Sequence, residues 1–196
     1  MTNTQTHPVM NLPENYKVFD FSEGYDPDKM TQFVENGGWG VGGYSEKRSN
    51  MYLAPQYQNR RNIHMGIDIW ASAGEPVYSP LDGEVAYMAN HAQEGNYGGT
   101  LILKHELDDT IYYALYGHLS PESISDLQPG QKVEAGRKVG ELGDESENGN
   151  WPPHLHYQIS IKDPGKADMP GVVSDEEHEE ALKAFPDPRI LIGEIY

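Results

Sequence analysis

The segment NIHMGIDIW, residues 62–70, alternates between apolar and other side chains at every second position. A helix is disfavoured because the segment is short, contains Gly66 and is rich in β-branched isoleucine. A β-strand places the isoleucines and the methionine on one face, and His64 and Asp68 together on the other. We therefore predict one strand over this segment, with Gly66 leaving open space between the histidine and the aspartate.

The segment HLHYQIS, residues 154–160, follows the same pattern. Its apolar residues share one face of a predicted strand, and His154 and His156 share the other. Two strands that each carry ligand-type side chains on one face indicate a metal site. The chain contains no cysteine, so the ligands must be histidine or carboxylate, a set typical of zinc in a catalytic role.

Strand patterns recur between residues 63 and 162 and are separated by glycine and proline. The sequence ELDDTI joins two alternating runs, as in a hairpin. This predicts a mainly β fold, an antiparallel β sandwich or partly open barrel. We expect an irregular N-terminal extension over residues 1–60 that packs on the core, a β domain over 61–165, and a helical tail over 166–196.

One helix is predicted in the C-terminal tail, in the sequence SDEEHEEALKAF. Ser174 and Glu177 have the spacing of a capping box, in which each side chain binds the backbone N–H of the other residue. The helix is expected to end before Pro186.

The charge of the chain limits its partners. There are 14 Lys and Arg residues against 31 Asp and Glu, which gives a net charge of -17. Such a surface repels nucleic acid and anionic membranes, so neither is expected as a partner. The N-terminus lacks the basic start and apolar stretch of a secretory signal, which predicts a cytoplasmic protein unless the sequence is trimmed. The pattern favours no particular oligomeric state.

Two histidine motifs resemble those of a known family. The run from His64 to Asp68 is similar to the H-x-x-x-D motif of the lysostaphin/LytM-type zinc metallopeptidases, and His154-Leu-His156 is similar to their H-x-H motif. The connecting segments ASAGEPVYSPLDGEV, GNYGGTLILKH, YALYGHLS and LQPGQKVEAGRKVGELG resemble that family in the same order. The resemblance covers roughly residues 60–162 and implies the antiparallel β fold called the duplicated hybrid motif.

The resemblance also implies roles for five residues. His64, Asp68 and His156 resemble the family's three zinc ligands, with one Zn²⁺ per chain. His118 and His154 resemble its two catalytic histidines, which do not bind the metal. Three protein ligands leave one zinc position open for water, and the two histidines could exchange protons with it or stabilise the oxyanion.

The implied function is a zinc metalloendopeptidase that cleaves peptides containing small residues, including fragments derived from the cell wall. One alternative is a non-catalytic binding or regulatory module of the same fold. Another is a sugar-transport phosphocarrier of the IIA type, which has a similar H-I-G-L-D phrase. A carrier of that type needs two histidines that face each other and no zinc ligand set.

We also make predictions for one tyrosine, one loop and one further histidine. Tyr57 lies close to where some relatives place a tyrosine that assists the oxyanion, and we favour a packing role for it. The loop from Gly143 to Pro153 is long and acidic, and we expect it to line the groove beside His154. Its acidic residues, Asp144, Glu145 and Glu147, are expected to favour neutral or basic peptides over acidic ones. His105 is expected to be solvated at the end of a strand.

Overall fold

The computed structural model describes residues 6–58 and 60–196. In chain order its strands are β1 (Lys17–Phe19), β2 (Gly40–Gly42), β3 (Glu46–Lys47), β4 (Ile63–His64), β5 (Ile67–Trp70), β6 (Pro76–Tyr78), β7 (Gly83–His91), β8 (Gly98–Leu107), β9 (Thr110–Leu119), β10 (Lys132–Val133), β11 (Lys138–Glu141), β12 (His154–Ser160) and β13 (Val172–Val173). The α-helices are α1 (Pro27–Glu35), α2 (Asp175–Ala184) and α3 (Arg189–Ile192), and short 3₁₀ helices cover Pro55–Tyr57 and Glu122–Ile124.

The largest sheet contains eight strands in the order β1-β2-β5-β12-β9-β8-β7-β10. Its neighbouring strands are antiparallel, except that β1 and β2 are parallel. Two smaller sheets pair β11 with β6 and place β4 between β13 and β3. Within the described residues the outer strands β1 and β10 do not pair with each other, so the largest sheet stays open. The predicted mainly β, antiparallel fold class is confirmed.

The hairpin of β8 and β9 forms because two residues accept an unusual backbone conformation. Leu107 pairs with Thr110, and the two residues between them, Asp108 and Asp109, have φ angles of 48° and 61°. A two-residue hairpin turn with both φ angles positive matches the right-handed twist of the strands, and aspartate tolerates it better than most residues. The hairpin predicted from ELDDTI is therefore confirmed.

The main core lies on the apolar faces of the strands predicted from alternation. Ile67 and Ile69 of β5 pack in one cluster with Leu155, Tyr157 and Ile159 of β12, and all five are fully buried. Burial of each large apolar side chain contributes about 1.5–3 kcal/mol. This core holds β5 and β12 side by side, and the polar faces of the two strands must then also lie side by side.

The prediction of a single strand over residues 62–70 is wrong at Met65 and Gly66. Strand β4 ends at His64 and belongs to the three-stranded sheet, whereas β5 begins at Ile67 and belongs to the largest sheet. The chain passes from one sheet to another between these strands. Alternation identified the local conformation correctly, but it does not reveal that the two halves pair with different neighbours.

The N-terminal part of the chain is more regular than predicted, because it contributes β1, β2, β3 and helix α1. The helix begins after Asp26, whose side chain accepts a hydrogen bond from the Lys29 N–H, and Pro27 occupies its first turn. Both residues are favoured at those positions, since they satisfy or remove the free N–H groups of a helix start. Met30 and Val34, one turn apart, are buried.

The division into an extension, a β domain and a tail at residues 60 and 165 stays a prediction. Residues 1–5 and 59 of that extension lie outside the described residues. Strand β2 pairs directly with β5, so part of the segment assigned to the extension belongs to the largest sheet.

The C-terminal helix α2 is confirmed together with its capping box. The Ser174 side chain accepts from the Glu177 N–H, and the Glu177 carboxylate accepts from the Ser174 N–H. The short helix α3 follows and was not predicted. None of the helices in residues 6–58 and 60–196 has the length and apolar character to cross a membrane.

His105 is buried, so the expectation that it is solvated is wrong. It pairs with Gly83 across β7 and β8, and a side chain at Gly83 would meet its Nδ1 atom at 2.6 Å. Its Nδ1–H donates to the Asp82 carbonyl at 3.0 Å, while its Nε2 has no partner among the described residues. Burial lowers the pKa of His105 because a protonated ring would lose its hydration there.

This buried histidine should make the stability of the protein depend on pH. The unfolded chain takes up a proton at His105 near pH 6.5, whereas the folded chain does so only at lower pH. The free energy of unfolding should therefore fall below pH 6.5, by at most about 1.4 kcal/mol per pH unit from this residue. Chemical unfolding at pH 5–8 should show a smaller fall for His105→Gln than for the wild type. Parallel pH profiles for the two proteins would contradict this account.

Candidate metal centre

Pairing between β5 and β12 sets the candidate residues opposite one another. Asp68 is directly opposite His156, and Trp70 is directly opposite His154. Residues directly opposite in an antiparallel pair project from the same face of the sheet. The two polar faces predicted from the sequence therefore meet, and His64 joins them from the end of β4.

Three side-chain atoms of the predicted ligands form a compact triangle. His64 Nε2 lies 2.9 Å from His156 Nδ1, and Asp68 Oδ1 lies 3.2 Å from the first of these atoms and 3.1 Å from the second. Ligand atoms of a tetrahedral zinc with bonds of about 2.0–2.1 Å are roughly 3.3 Å apart. The spacing and the chemistry of this donor set both fit a zinc ion.

Each of the three side chains is also held from its other side. The Nδ1–H of His64 donates to the Gly43 carbonyl at 2.9 Å, and the Nε2–H of His156 donates to Gln158 Oε1 at 3.0 Å. The second carboxylate oxygen of Asp68 accepts from Arg48 Nη1 at 2.5 Å. Such partners fix the tautomer of a metal-binding histidine and the orientation of a carboxylate.

The charges in this cluster are determined by burial and by close contacts. Burial acts to raise the pKa of Asp68, but His64 and Arg48 outweigh it and hold that pKa well below its usual range. Burial, together with the Arg48 charge, lowers the pKa of His64 to about 4. At neutral pH the cluster therefore offers a carboxylate and a neutral imidazole, the forms that bind metal ions.

His154 and His118 are held by backbone carbonyls, as His64 is, but neither of them joins the three-residue cluster. Their Nδ1–H groups donate to backbone carbonyls, that of Pro152 for His154 and that of Asn148 for His118, each at 2.8 Å. This leaves Nε2 of each ring as the free acceptor. His154 Nε2 is 4.0 Å from Asp68 Oδ1, so it lies beside the three-residue cluster without joining it.

Aromatic stacking and backbone strain orient these two rings. The ring of His154 stacks on Trp70 with centroids 4.2 Å apart, and the His118 ring packs against it at 4.2 Å. His118 has a φ angle of 62°, a left-handed conformation that costs a non-glycine residue about 1–2 kcal/mol. Strain of this kind persists where the surrounding structure enforces it. At His118 the strained backbone occurs together with the packing of its ring against His154.

Burial keeps both of these histidines neutral. It lowers the pKa of His154 to about 4, and it lowers the pKa of His118 well below its usual value with a further contribution from the neighbouring His154. A neutral ring with a free Nε2 can accept a proton. These two residues can therefore accept a proton beside the three-residue cluster.

All five predicted site residues line one groove of about 370 Å³. Part of its wall comes from the segment before the first histidine motif, through Met51, Tyr52 and Tyr57. The hydroxyl of Tyr57 donates to the Gly95 carbonyl, which joins that segment to the loop before β8.

The acidic loop from Gly143 to Pro153 contributes Trp151 to the groove, but its acidic residues do not line it. Asp144 accepts hydrogen bonds from Ser146, and Glu145 accepts one from Thr31 of α1 at 2.6 Å. The expected preference for neutral or basic peptides stays a prediction, although the carboxylates of the loop lie outside the groove. Their hydrogen bonds stabilise the loop and its contact with the N-terminal helix.

Arg48 and Gly43, which hold two of the three cluster residues from outside, were not predicted from the sequence. Arg48 lies in the polar run SEKRSN, which reads as a solvated turn. No periodicity marks it as buried, although its side chain is fully buried.

Gly66 has a different role from the one predicted. It does not leave open space, because a Cβ atom there would lie 2.6 Å from His156 Cε1 and 2.8 Å from the Tyr157 carbonyl oxygen. The ring of His156 occupies the volume that a side chain would need. Gly66 thus allows His156 to reach the other two residues of the cluster.

Several known proteins resemble this chain in sequence. The sequence pattern of peptidase family M23 matches residues 62–168, more than half of the chain. The chain is 32% identical over 111 residues to peptidoglycan DD-endopeptidase ShyB of Vibrio cholerae, covering 55% of this chain and 24% of that protein. It is 30% identical over 183 residues to an uncharacterized metalloprotease of Haemophilus influenzae, covering 88% of this chain and 36% of that protein. The chain thus spans well under half of either relative.

Among solved structures, the catalytic domain of the prophage-encoded M23 protein EnpA of Enterococcus faecalis, in mutant form, is 25% identical to this chain. The match covers 70% of this chain and 89% of that domain, with a TM-score of 0.48.

The close fit at Gly66 leads to a prediction. Gly66→Ala should push the His156 ring away from His64 and Asp68, because the backbone oxygen of Tyr157 blocks the other direction. The free energy of unfolding should fall by about 1–3 kcal/mol, the usual cost of overpacking. Gly43→Ala is the matched control, since its Cβ would meet atoms only at 3.8 Å or beyond. Denaturant unfolding that gives equal stabilities for the two variants would contradict the close fit.

Proposed function

Because the chain belongs to peptidase family M23, we propose that it is a zinc-dependent endopeptidase in which His64, Asp68 and His156 bind one zinc ion per chain. The main support is the triangle of Nε2, Oδ1 and Nδ1 atoms, 2.9–3.2 Å apart, with the opposite atom of each side chain already hydrogen bonded. A set that is prepared in this way binds a metal with little rearrangement.

Zinc, when bound, supplies Lewis-acid polarisation and activation of water. The proton transfers belong to the protein. His154 and His118 are neutral, and each has a free Nε2 that can take a proton from the attacking water and return it to the leaving amine. Once protonated, either ring can also donate a hydrogen bond to the oxyanion that forms at the scissile carbonyl.

The surroundings of the two histidines suit this exchange. Their Nδ1–H groups are bound to carbonyls of the backbone, so the reactive nitrogen stays the same throughout the reaction. The rings of Trp70 and His118 both pack against the His154 ring and restrict its rotation. Positioning of this kind contributes to rate because the reacting atoms start close to their final geometry.

For the substrate we propose peptides of the cell wall, either in the intact polymer or in fragments released from it. The name of ShyB, a peptidoglycan DD-endopeptidase, supports this class. The net charge of -17 argues against nucleic acid. A groove of about 370 Å³ is compatible with a short extended peptide of small residues.

Two alternatives are less well supported. A IIA-type phosphocarrier requires two facing histidines, as His118 and His154 are, but it has no use for a second buried group of two histidines and a carboxylate. A non-catalytic module would not need the two neutral histidines, His118 and His154, beside the cluster. The presence of both sets in one groove favours catalysis.

Alanine variants of the four histidines test this proposal. His64→Ala and His156→Ala should lose both zinc and activity, because each removes a ligand. His118→Ala and His154→Ala should retain about one zinc per chain and lose on the order of 10²-fold or more in rate. The measurements are elemental analysis of protein purified without added zinc and mass spectrometry of peptidoglycan fragments after digestion. His178→Ala, outside the groove, is the control.

The two pairs of variants must differ in zinc content for the proposal to stand. Full zinc content in His64→Ala would remove that residue from the ligand set. Loss of zinc in His154→Ala would exchange the roles of His154 and His156.

A further inference from the structure

Arg48 is a fully buried arginine that contacts the candidate ligand Asp68 directly. Its Nη1 donates to Asp68 Oδ2 at 2.5 Å and to the Tyr52 hydroxyl at 2.9 Å. Its Nε donates to Glu46 Oε2 at 2.7 Å, and its guanidinium lies 5.1 Å from the centre of the Phe21 ring. With three sides of the planar group occupied, the guanidinium cannot turn away from Asp68.

The partners of two candidate ligands come from one short segment. Gly43 binds His64, and Arg48 binds Asp68, so both lie between residues 43 and 48. The match to family M23 begins only at residue 62. The contacts that hold His64 and Asp68 from outside are therefore supplied by a part of the chain that the family pattern does not include.

A carboxylate can bind a metal through one oxygen or through both. Oδ1 of Asp68 faces His64 and His156, whereas Oδ2 is taken by Arg48. If Oδ2 were free, it could turn to the same metal and raise the coordination number from four to five. That extra ligand would occupy space that a catalytic zinc site keeps for water and substrate.

We infer that Arg48 is a positioning residue that restricts Asp68 to metal binding through Oδ1 alone and so keeps the fourth coordination position open. This inference rests on the proposed metal site but goes beyond it, because it assigns a role in that site to a residue outside the family pattern. It also explains why an arginine is buried here, since arginine offers several donors in a fixed planar arrangement, whereas lysine offers a single flexible ammonium group.

The test replaces zinc with Co²⁺, whose visible absorption is strong with four ligands and weak with five. Arg48→Met removes every donor while it keeps an unbranched side chain of moderate length. Cobalt-loaded Arg48→Met should show a clear loss of visible absorption and about 10- to 100-fold weaker zinc affinity. An absorption spectrum equal to that of the wild type overturns the inference, even if affinity falls, because a purely structural role would leave the coordination number unchanged.

Three further variants make the result specific. Glu46→Gln alters another contact of Arg48 but leaves the one to Asp68, so its cobalt spectrum should match the wild type. Arg48→Lys keeps the charge and one donor and should restore the spectrum towards that of the wild type. Removal of Arg48 leaves the buried Asp68 carboxylate without its cationic partner, which can prevent folding. Arg48→Gln is then the second variant, because its amide ends where the Arg48 Nε lies and can donate to Glu46 but does not reach Asp68, so the expected spectrum is that of Arg48→Met.

The same experiment separates this inference from the proposed function. A wild-type protein that takes up neither cobalt nor zinc would overturn the metal centre and the role of Arg48 with it. A wild type that binds one cobalt, with an unchanged spectrum in Arg48→Met, overturns only the role of Arg48.

Discussion

The buried carboxylate of Asp68 is the group on which the rest of the site depends. An ionised carboxylate inside a protein is unfavourable unless opposite charge and hydrogen bonds compensate it. Asp68 receives that compensation from Arg48, whereas its other oxygen faces the unprotonated nitrogens of His64 and His156. Because Arg48 follows β3 and Asp68 lies in β5, the N-terminal segment and the largest sheet must fold against each other for the site to form. The pairing of β2 with β5, which sets Gly42 opposite Asp68, contributes to the same requirement.

The groove combines two pairs of histidines that differ in what the free nitrogen of each ring faces. His64 and His156 present a nitrogen to the carboxylate, whereas His118 and His154 present Nε2 to the space beside it. A hydrophobic cluster connects the groove to the N-terminal segment. In this cluster Trp70, which stacks on His154, packs with Phe21, Met30, Val34 and Met51. Helix α1 therefore supports His154 through Trp70, although it lies far from the two histidine motifs in the sequence.

Alternation of side chains was enough to predict which residues of β5 and β12 face the site. The period of two follows from strand geometry alone, and the apolar residues of both strands have one core to pack in. The pattern could not predict the break at Met65 and Gly66, since a strand segment has the same period in either sheet. The capping box of α2 was predicted because its signal is local, contained in four residues.

The features that the sequence did not reveal depend on partners far along the chain. Arg48 looks like part of a solvated turn, and its burial follows from a contact with a residue twenty positions later. His105 looks like the end of a strand, and it is buried because Gly83 on the neighbouring strand leaves room for its ring. In both cases the burial depends on a contact with another secondary-structure element. Local hydrophobic periodicity and charge do not reveal such a contact.

The most direct test of this account is anomalous diffraction at the zinc absorption edge from crystals of the full chain. We expect one strong peak, about 2.0–2.1 Å from His64 Nε2, Asp68 Oδ1 and His156 Nδ1, with Asp68 Oδ2 still bound to Arg48. A peak that is coordinated by His118 or His154, or a zinc bound by both oxygens of Asp68, would contradict it.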